Sequence, residues 1–453
     1  MTPASSTPPS TIPGVILAAP ASGSGKTVLT LGLMRALTRA GVRVAPAKVG
    51  PDYIDPAFHA AACGRASINL DPWAMRVDSL AGLVAGLSID ADIALIEGVM
   101  GLFDGAADGR GATADLAAAS GWPVILILDV TGQGASAVAV LQGLAAHRED
   151  VAVAGVILNR VGSDRHADLI ANALQHHCPD IPLLGAVPRD ARLDLPSRHL
   201  GLVQAGEHGG LSAFLDGAAD VVGEALDLDA LVALARPSGL TSDKPVPFFP
   251  PPGERIAVAR DDAFAFCYPH LMDAWRAAGA ELHFFSPLAG QGPDAQADAI
   301  YLPGGYPELH GPTLAGSADF LEGLRHAATR GVKIFGECGG YMVLGQQILD
   351  AQGRAHAMAG LLPLVTSFQD RRLHLGYRRA EVLADCALAP RGAALRAHEF
   401  HYASVVTEGP GAPLFHLRDA RNTDLGAVGL VDGSVAGSFL HLIDRAPEEG
   451  ETQ

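Results

Sequence analysis

Residues 14–27 read GVILAAPASGSGKT. An apolar, β-prone run ends in a Pro/Gly/Ser turn, and Lys26-Thr27 opens a stretch with helical periodicity. Strand, glycine turn and helix in that order let backbone amides converge on phosphate oxygens, while the helix N-terminus adds the positive end of its dipole. Gly23, Ser24 and Gly25 supply the turn; Lys26 is placed to reach β- and γ-phosphates, and the Thr27 hydroxyl to sit on Mg²⁺. Pro20 stands where the G-x-x-x-x-G-K-[ST] pattern has its first glycine, so the loop is a variant. The stretch reads as a site for ATP and Mg²⁺.

The same alternation recurs downstream. VILAA (15–19), RVAPAKV (43–49), IALIEG (93–98), PVILILDV (123–130), VAGVILN (153–159) and PLLGAV (182–187) are short apolar runs, as expected of strands buried on both faces of a parallel sheet. Helical stretches such as 27–40 and 164–177 lie between them. This predicts a doubly wound α/β domain over 14–234, behind a loose Ser/Thr/Pro-rich tail at 1–13. Residues 235–254 hold six prolines and neither period, and read as an interdomain linker. From 255 to 453 the alternation resumes, with helices near 269–278 and 318–330, and then turns more β-like; Asp432-Gly433 between apolar strands is a hairpin signal.

A chain of 453 residues, 49% hydrophobic, has material for two or three packed domains. Its net charge of −17, without a basic block, argues against nucleic acid as a main partner. Five scattered cysteines with no C-x-x-C pair argue against a disulfide framework or zinc site and for a reducing cytoplasm. No apolar run reaches membrane-spanning length, and the N-terminus lacks the basic and apolar segments of a signal peptide.

Residues just past strand C-termini line the ligand crevice of an open parallel sheet. KVGPDYIDP (48–56) places Lys48, Asp52 and Asp55 there, and EGVMGLFDG (97–105) places Glu97 and Asp104. Carboxylates near phosphates can hold Mg²⁺ or orient an attacking group. Glu97 reads as functional; Asp55 reads as a helix cap or solvated charge. Lys48 is placed to neutralise an anionic substrate. Asn159, ending VILN, is placed to meet an adenine edge, with a strand-end turn as the alternative.

A second chemistry lies in VKIFGECGGYMVLG (332–345): strand, sharp turn, helix. Gly336 to Gly340 has the G-x-nucleophile-x-G form of an elbow, which would project an exposed Cys338 at a helix N-terminus, where the dipole favours thiolate. The Gly339 amide would face an oxyanion, with Gly304 and Gly305 of LPGGYPE (302–308) as further donors. His441, at the end of the strand after the hairpin, is the expected base. His374, His398 and His401 read as structural or substrate-rim residues; His-Glu-x-His has the wrong spacing for a zinc helix.

A thiol elbow that cleaves amides, joined to an ATP site that activates carboxylates, points to a glutamine-dependent amide-forming synthetase. PASGSGKT, KVGPDYIDP, EGVMGLFDG, LPGGYPE, FGECGGYM and RAHEFHYAS together resemble the cobyrinate or hydrogenobyrinate a,c-diamide synthases of cobalamin biosynthesis. That resemblance implies a dethiobiotin-synthetase-like first half, a class I glutamine amidotransferase second half, ATP and Mg²⁺ at the loop, L-glutamine and a corrinoid as substrates, and a homodimer. It implies that Asp52, Glu97 and Asp104 are the acidic positions of the active site, that Tyr53 and Ile54 contact the corrin side chain, and that Cys338 takes the glutamyl group with His441 as partner. Class I enzymes usually carry Glu two residues after this histidine; here Ile443 stands there, which leaves Asp444, Glu399 or nothing to orient His441. Two alternatives stay open: a nickel-sirohydrochlorin a,c-diamide synthase, and a ParA/MinD-like switch fused to an inactive amidotransferase-like module.

Overall fold

The computed structural model describes residues 11–195, 197–198, 201–202, 209–242 and 248–447. Most of the expected tail (1–10) and part of the expected linker (243–247) lie outside them. The chain divides into two compact units: Met1–Trp73 with Val77–Pro245, and Ala74–Arg76 with Val246–Gln453.

In the first unit β1 (Pro13–Ala18) leads into α1 (Lys26–Arg39), then β2 (Val44–Val49), α2 (Asp55–Cys63), β3 (Ile68–Leu70) and α3 (Val77–Leu87). β4 (Ile93–Glu97), α4 (Thr113–Ser120), β5 (Val124–Asp129), α5 (Ser136–Ala146), β6 (Val153–Val161), α6 (Asp164–His177) and β7 (Leu183–Pro188) complete the alternation. A small pair, β8 (Ser197–Arg198) and β9 (Gly201–Leu202), precedes α7 (Leu211–Ala225), α8 (Leu228–Ala233) and β10 (Arg236–Pro237). The sheet runs β3-β2-β4-β1-β5-β6-β7, parallel, with order reversing around β1. Central strands are buried along their length because every residue of runs such as IALIE is apolar until the carboxylate that ends it. Helix α1 lays Leu29, Leu33, Met34 and Leu37 into the core beside Val221 and Val222 of α7. Ser163 caps α6 by accepting from the His166 amide.

Two boundaries differ from expectation. Packing starts inside the expected tail: Ile12 is buried, and its carbonyl accepts from Trp122 Nε1 at 3.4 Å. At Gly14 a Cβ would lie 2.7 Å from the Trp122 ring, so only glycine lets the indole close over β1. At the other end, the first residues of the expected linker form β10, with Arg236 and Pro237 pairing antiparallel to Gly14 and Pro13. The three-residue strand β3 is too short to carry a periodic signal in the sequence.

In the second unit β11 (Arg255–Ala259), α9 (Pro269–Ala277), β12 (Glu281–Phe285), β13 (Ala299–Leu302), α10 (Gly311–Gly316), α11 (Ala318–Thr329), β14 (Lys333–Glu337) and α12 (Gly339–Leu344) form the α/β half. β15 (Gln347–Leu349), β16 (Ala355–Ala357), β17 (Leu364–Ser367), β18 (His374–Val382), β19 (Ala394–His401) and β20 (Ser404–Glu408) follow. β21 (Ala412–Asp419), β22 (Asp424–Asp432), β23 (Val435–Ser438) and β24 (Leu440–Arg445) close the chain. The large sheet runs β12-β11-β13-β14-β23-β22-β21-β18-β19-β24, parallel from β12 through β23 and antiparallel beyond. The β22–β23 hairpin turns through Gly433-Ser434, with Asp432 opposite Val435 and Gly433 at φ 56°. His441 is the second residue of β24 rather than the end of the hairpin strand, because the chain breaks at Phe439 before pairing with β19.

Candidate active sites

At the C-terminal edge of β1, Gly23 (φ 80°) and Gly25 (φ 82°) turn the loop into α1, whose N-cap is Gly25. Asn159 braces this turn: Nδ2 donates to the Ser24 carbonyl at 2.8 Å and Oδ1 accepts from the Arg160 amide at 2.9 Å. Arg160 donates to the Gly23 carbonyl and pairs with Asp129. The Ser24 hydroxyl donates to Ala21 O, and Lys26 Nζ to Met100 O at 3.2 Å. Met100 holds that carbonyl inward from a left-handed conformation, φ 45°, uncommon for a residue with a Cβ. A cavity of about 520 Å³ adjoins the loop, with Val28, Leu29, Thr131 and Asn159 in its wall.

Below the loop lies a buried charge cluster. Parallel register sets Lys48 beside Glu97, and Lys48 Nζ lies 2.8 Å from Glu97 Oε1 and 2.6 Å from Asp55 Oδ2. The Thr27 hydroxyl donates to Glu97 Oε1 at 2.6 Å, and His59 Nε2 lies 2.7 Å from Glu97 Oε2. Burial favours neutral forms here, but the pairing decides which groups stay charged. For Lys48, burial is outweighed by Asp55 and Glu97, and the ammonium is held well above its ordinary range. For Glu97, burial is outweighed by Lys48 and His59, and the carboxylate is held below its ordinary range. Asp55 goes the other way: burial and Asp52 raise it against the pull of Lys48. Burial and Lys48 lower Lys26.

Asp55, expected as a cap or solvated charge, is therefore a member of the cluster, and His59 is a member that sequence reasoning left out. The available signal was their i, i+4 spacing on α2, which puts both on the face turned to Glu97. The capping role falls to Asp52, whose Oδ1 accepts from the Ile54 and Asp55 amides at 2.8 and 3.1 Å. Asp52 also lines a cavity of about 600 Å³ together with Lys26, Thr27, Lys48 and Asp55. Tyr53 and Ile54 are half-buried on the same turn. Asp104 is exposed and closes the turn after β4 by accepting from the Gly101 amide at 2.9 Å. Among these groups, Thr27 Oγ1 and Glu97 Oε1 are adjacent hard oxygen donors of the kind a small divalent cation takes.

In the second unit the elbow is strained at its nucleophile. Cys338 has φ 47° and ψ −104°, a conformation that costs on the order of 1–3 kcal/mol. Its flanking glycines serve close backbone approach: a Cβ on Gly336 would lie 2.7 Å from the Gly340 carbonyl carbon, and one on Gly340 would strike the Leu302 carbonyl. The thiol is 3% exposed rather than open, because β19 passes over it and Sγ donates to the Phe400 carbonyl at 3.7 Å. Burial and Glu308 push the thiol up, against the Gly339 and Gly305 amides that favour thiolate. The expected helix-end stabilisation of thiolate is thus overcome by desolvation.

Cys338, His441 and Gly304 converge. A Cβ on Gly304 would press on His441 Cε1 and lie 3.1 Å from Nε2 and 3.2 Å from Cys338 Cβ. Burial, with His398 and His401, drives the His441 imidazole well below its ordinary value; Glu399 opposes. Neither expected orienter is placed at Nδ1. Asp444, past the bulge in the β19–β24 pairing, pairs with Arg76 at 3.0 Å. Glu399 is held by Arg378 at 2.7 Å and His401 at 3.0 Å. Glu337 Oε2 lies 4.0 Å from Nδ1. His374, Glu399 and His401 offer ligand atoms within 4.8 Å of one another, but Arg378 already neutralises that carboxylate.

Comparison with known proteins agrees with this division. Residues 15–203 match the CobQ/CobB/MinD/ParA nucleotide binding domain, and residues 255–448 the CobB/CobQ-like glutamine amidotransferase domain. A hydrogenobyrinate a,c-diamide synthase of Rhizobium meliloti is 55% identical over 431 residues, covering 95% of this chain and 99% of the relative. Proteins of the same description from Brucella anthropi and Rhodobacter capsulatus are each 54% identical, covering 96% and 95% of this chain and 99% and 98% of the relatives. The chain belongs to the hydrogenobyrinate a,c-diamide synthases, a family of glutamine-dependent amide-forming ligases.

Proposed function

We propose that this chain amidates the a and c acetate groups of hydrogenobyrinic acid, using ATP to activate each carboxylate and glutamine to supply nitrogen. The observation that carries this reading is the Cys338 turn: a strained nucleophile between the Gly305 and Gly339 amides, with His441 across from it.

In the first unit the loop amides of Gly23, Ser24 and Gly25 cradle the ATP phosphates, Lys26 neutralises them, and the base lies in the cavity walled by Asn159. Thr27, Glu97 and Asp52 would hold Mg²⁺, which when bound neutralises charge on the β- and γ-phosphates. Asp52, Tyr53, Ile54 and Lys48 position the acetate, with Glu97 and Asp104 as the other acidic groups of the site. An acetate oxygen attacks the γ-phosphorus and ADP departs, leaving an acyl phosphate. Ammonia then attacks the acyl carbon, phosphate leaves, and the surplus proton goes to solvent.

In the second unit the Cys338 proton passes to His441 as sulfur attacks the glutamine amide carbon, and the Gly305 and Gly339 amides, beside Gly304, take the oxyanion. Ammonia leaves with that proton, and water hydrolyses the thioester to glutamate and regenerates the thiol. Five free cysteines suit a reducing compartment, and the active form is a homodimer, which sedimentation at assay concentration checks.

The test supplies ATP, Mg²⁺ and amide-¹⁵N-glutamine, with hydrogenobyrinic acid, cobyrinic acid and nickel sirohydrochlorin in separate reactions. Two labelled nitrogens per hydrogenobyrinate ring are expected. Label entering nickel sirohydrochlorin alone would replace the corrin reading, and ATP hydrolysis with no label in any ring would leave a switch with a silent amidotransferase module.

A further inference from the structure

We propose that Glu337, the residue immediately before the nucleophile, is the positioning residue for His441, accepting from Nδ1–H when the imidazole takes the Cys338 proton. This rests on the Cys–His reading above and extends it to a group that reading does not use.

The geometry is specific. Glu337 ends β14, so its side chain and that of Cys338 leave the same turn in different directions. Glu337 is 1% exposed, and its Oε2 lies 4.0 Å from His441 Nδ1, the ring atom next to the Cε1 that meets Gly304. It is held on both oxygens: Tyr301 donates its hydroxyl to Oε2 at 2.8 Å, and the Leu442 amide donates to Oε1 at 3.2 Å. Leu442 is the neighbour of His441, so the carboxyl straps β24 at the residue next to the base. At 4.0 Å the pair is beyond hydrogen-bonding distance, and catalytic hydrogen bonds of this kind shorten in the substrate complex.

The protonation states follow from the surroundings. Among the described residues, Tyr301 of β13, Cys267 ahead of α9, Cys338 and His441 are the titratable groups that act on or approach Glu337. None of them is a resting cation, and burial lifts Glu337 to about 8, against the Tyr301 hydroxyl and the Leu442 amide. At rest the neutral acid avoids an unpaired buried anion. Once pH passes about 8, Glu337 has released its proton to solvent, and that carboxylate gains a cation beside it when His441 becomes imidazolium. The step moves one proton from sulfur to His441 Nε2 and keeps the Nδ1 proton directed at Oε2, so no other reactant is needed. His398, His401 and Glu399 act on His441 from β19, and Glu308 acts on Cys338.

The experiment measures glutamine hydrolysis from pH 6 to 9.5 in the whole protein, for wild type, Cys338→Ser, Glu337→Gln and Tyr301→Phe. Glu337→Gln is expected to lower kcat by about 10–100-fold with KM within about twofold, and to abolish a kcat limb that rises with pH near 8 in the wild type. Tyr301→Phe removes a donor that favours the anion, so it moves that limb to higher pH, and it decides the matter if Glu337→Gln does not fold. A limb unchanged in both variants belongs to Cys338 and overturns the assignment to Glu337. Continued hydrolysis by Cys338→Ser would instead overturn the Cys–His reading itself.

Discussion

The two sites treat buried charge in opposite ways. Beneath the phosphate loop, Lys48 and Glu97 stay ionised inside the protein because each has partners at 2.6–2.8 Å. Around Cys338 burial outweighs the groups that oppose it: thiol and carboxyl are driven up, imidazole down, and the resting groups are neutral. The first arrangement suits a substrate that brings its own anions and needs a fixed field. The second suits a reaction whose charges exist only once a proton has moved, so that stabilisation is reserved for the transition state.

The sharpest way to break this comparison is at the thiol. Cys338→Ser should lower glutamine-dependent amidation by about 10³-fold or more, since serine at this site lacks the intrinsic nucleophilicity of sulfur. Amidation fed by ammonium salts should persist, because it draws only on the first site. Equal loss with both nitrogen sources would show that the sites are not separable. Paired rates with glutamine and ammonium settle it.

Next in size is the charge cluster. Glu97→Gln takes one of the two carboxylates paired with Lys48 and the anion beside His59, a change that typically costs about 3–5 kcal/mol when a buried pair is broken. Denaturant unfolding should show that loss, and amidation should fall with either nitrogen source. A variant that keeps its stability but loses amidation would make Glu97 a purely catalytic group.

The sequence carries the loop and the elbow because both depend on local spacing: a strand, a glycine turn and a helix within about a dozen residues. What it does not carry is register. Lys48 and Glu97 are 49 residues apart and meet only because β2 pairs β4 in parallel. For the same reason Asp55 and Asp52 could exchange expected roles, since a carboxylate near a helix start looks alike whether it caps the helix or joins a buried pair. The burial of Cys338 depends on Phe400, 62 residues downstream, and no spacing rule announces it. Helix periodicity, by contrast, placed α6 at its observed limits because its apolar stripe and Ser163 cap are both local.

A smaller effect should follow at Gly304, where the comparison can be sharpened within the second site. Gly304→Ala puts a methyl against His441 Cε1 and 3.2 Å from Cys338 Cβ. Displacing the imidazole by a fraction of an ångström should lower glutamine hydrolysis by about 10²-fold, while ammonia-fed amidation stays near wild type. Loss in both would place Gly304 in a wider structural role.

A last effect, and the one that tests the contrast in charge directly, is in stability against pH. Glu337 moves from 4.5, its ordinary value, to about 8 on folding. Between those values the folded chain holds a proton that the unfolded chain has released, so stability falls as pH rises. The contribution is fully present below 4.5 and lost by the time pH passes about 8. Glu97 has the opposite sign: its folded value is depressed, so its contribution is present above its ordinary 4.5 and fades as pH falls below it. Urea midpoints measured from pH 5 to 8.5 should therefore decline in the wild type and decline less in Glu337→Gln, which has no proton to lose. An identical decline in both proteins would mean that Glu337 is ionised throughout, and the second site would then resemble the first in holding a resting buried anion.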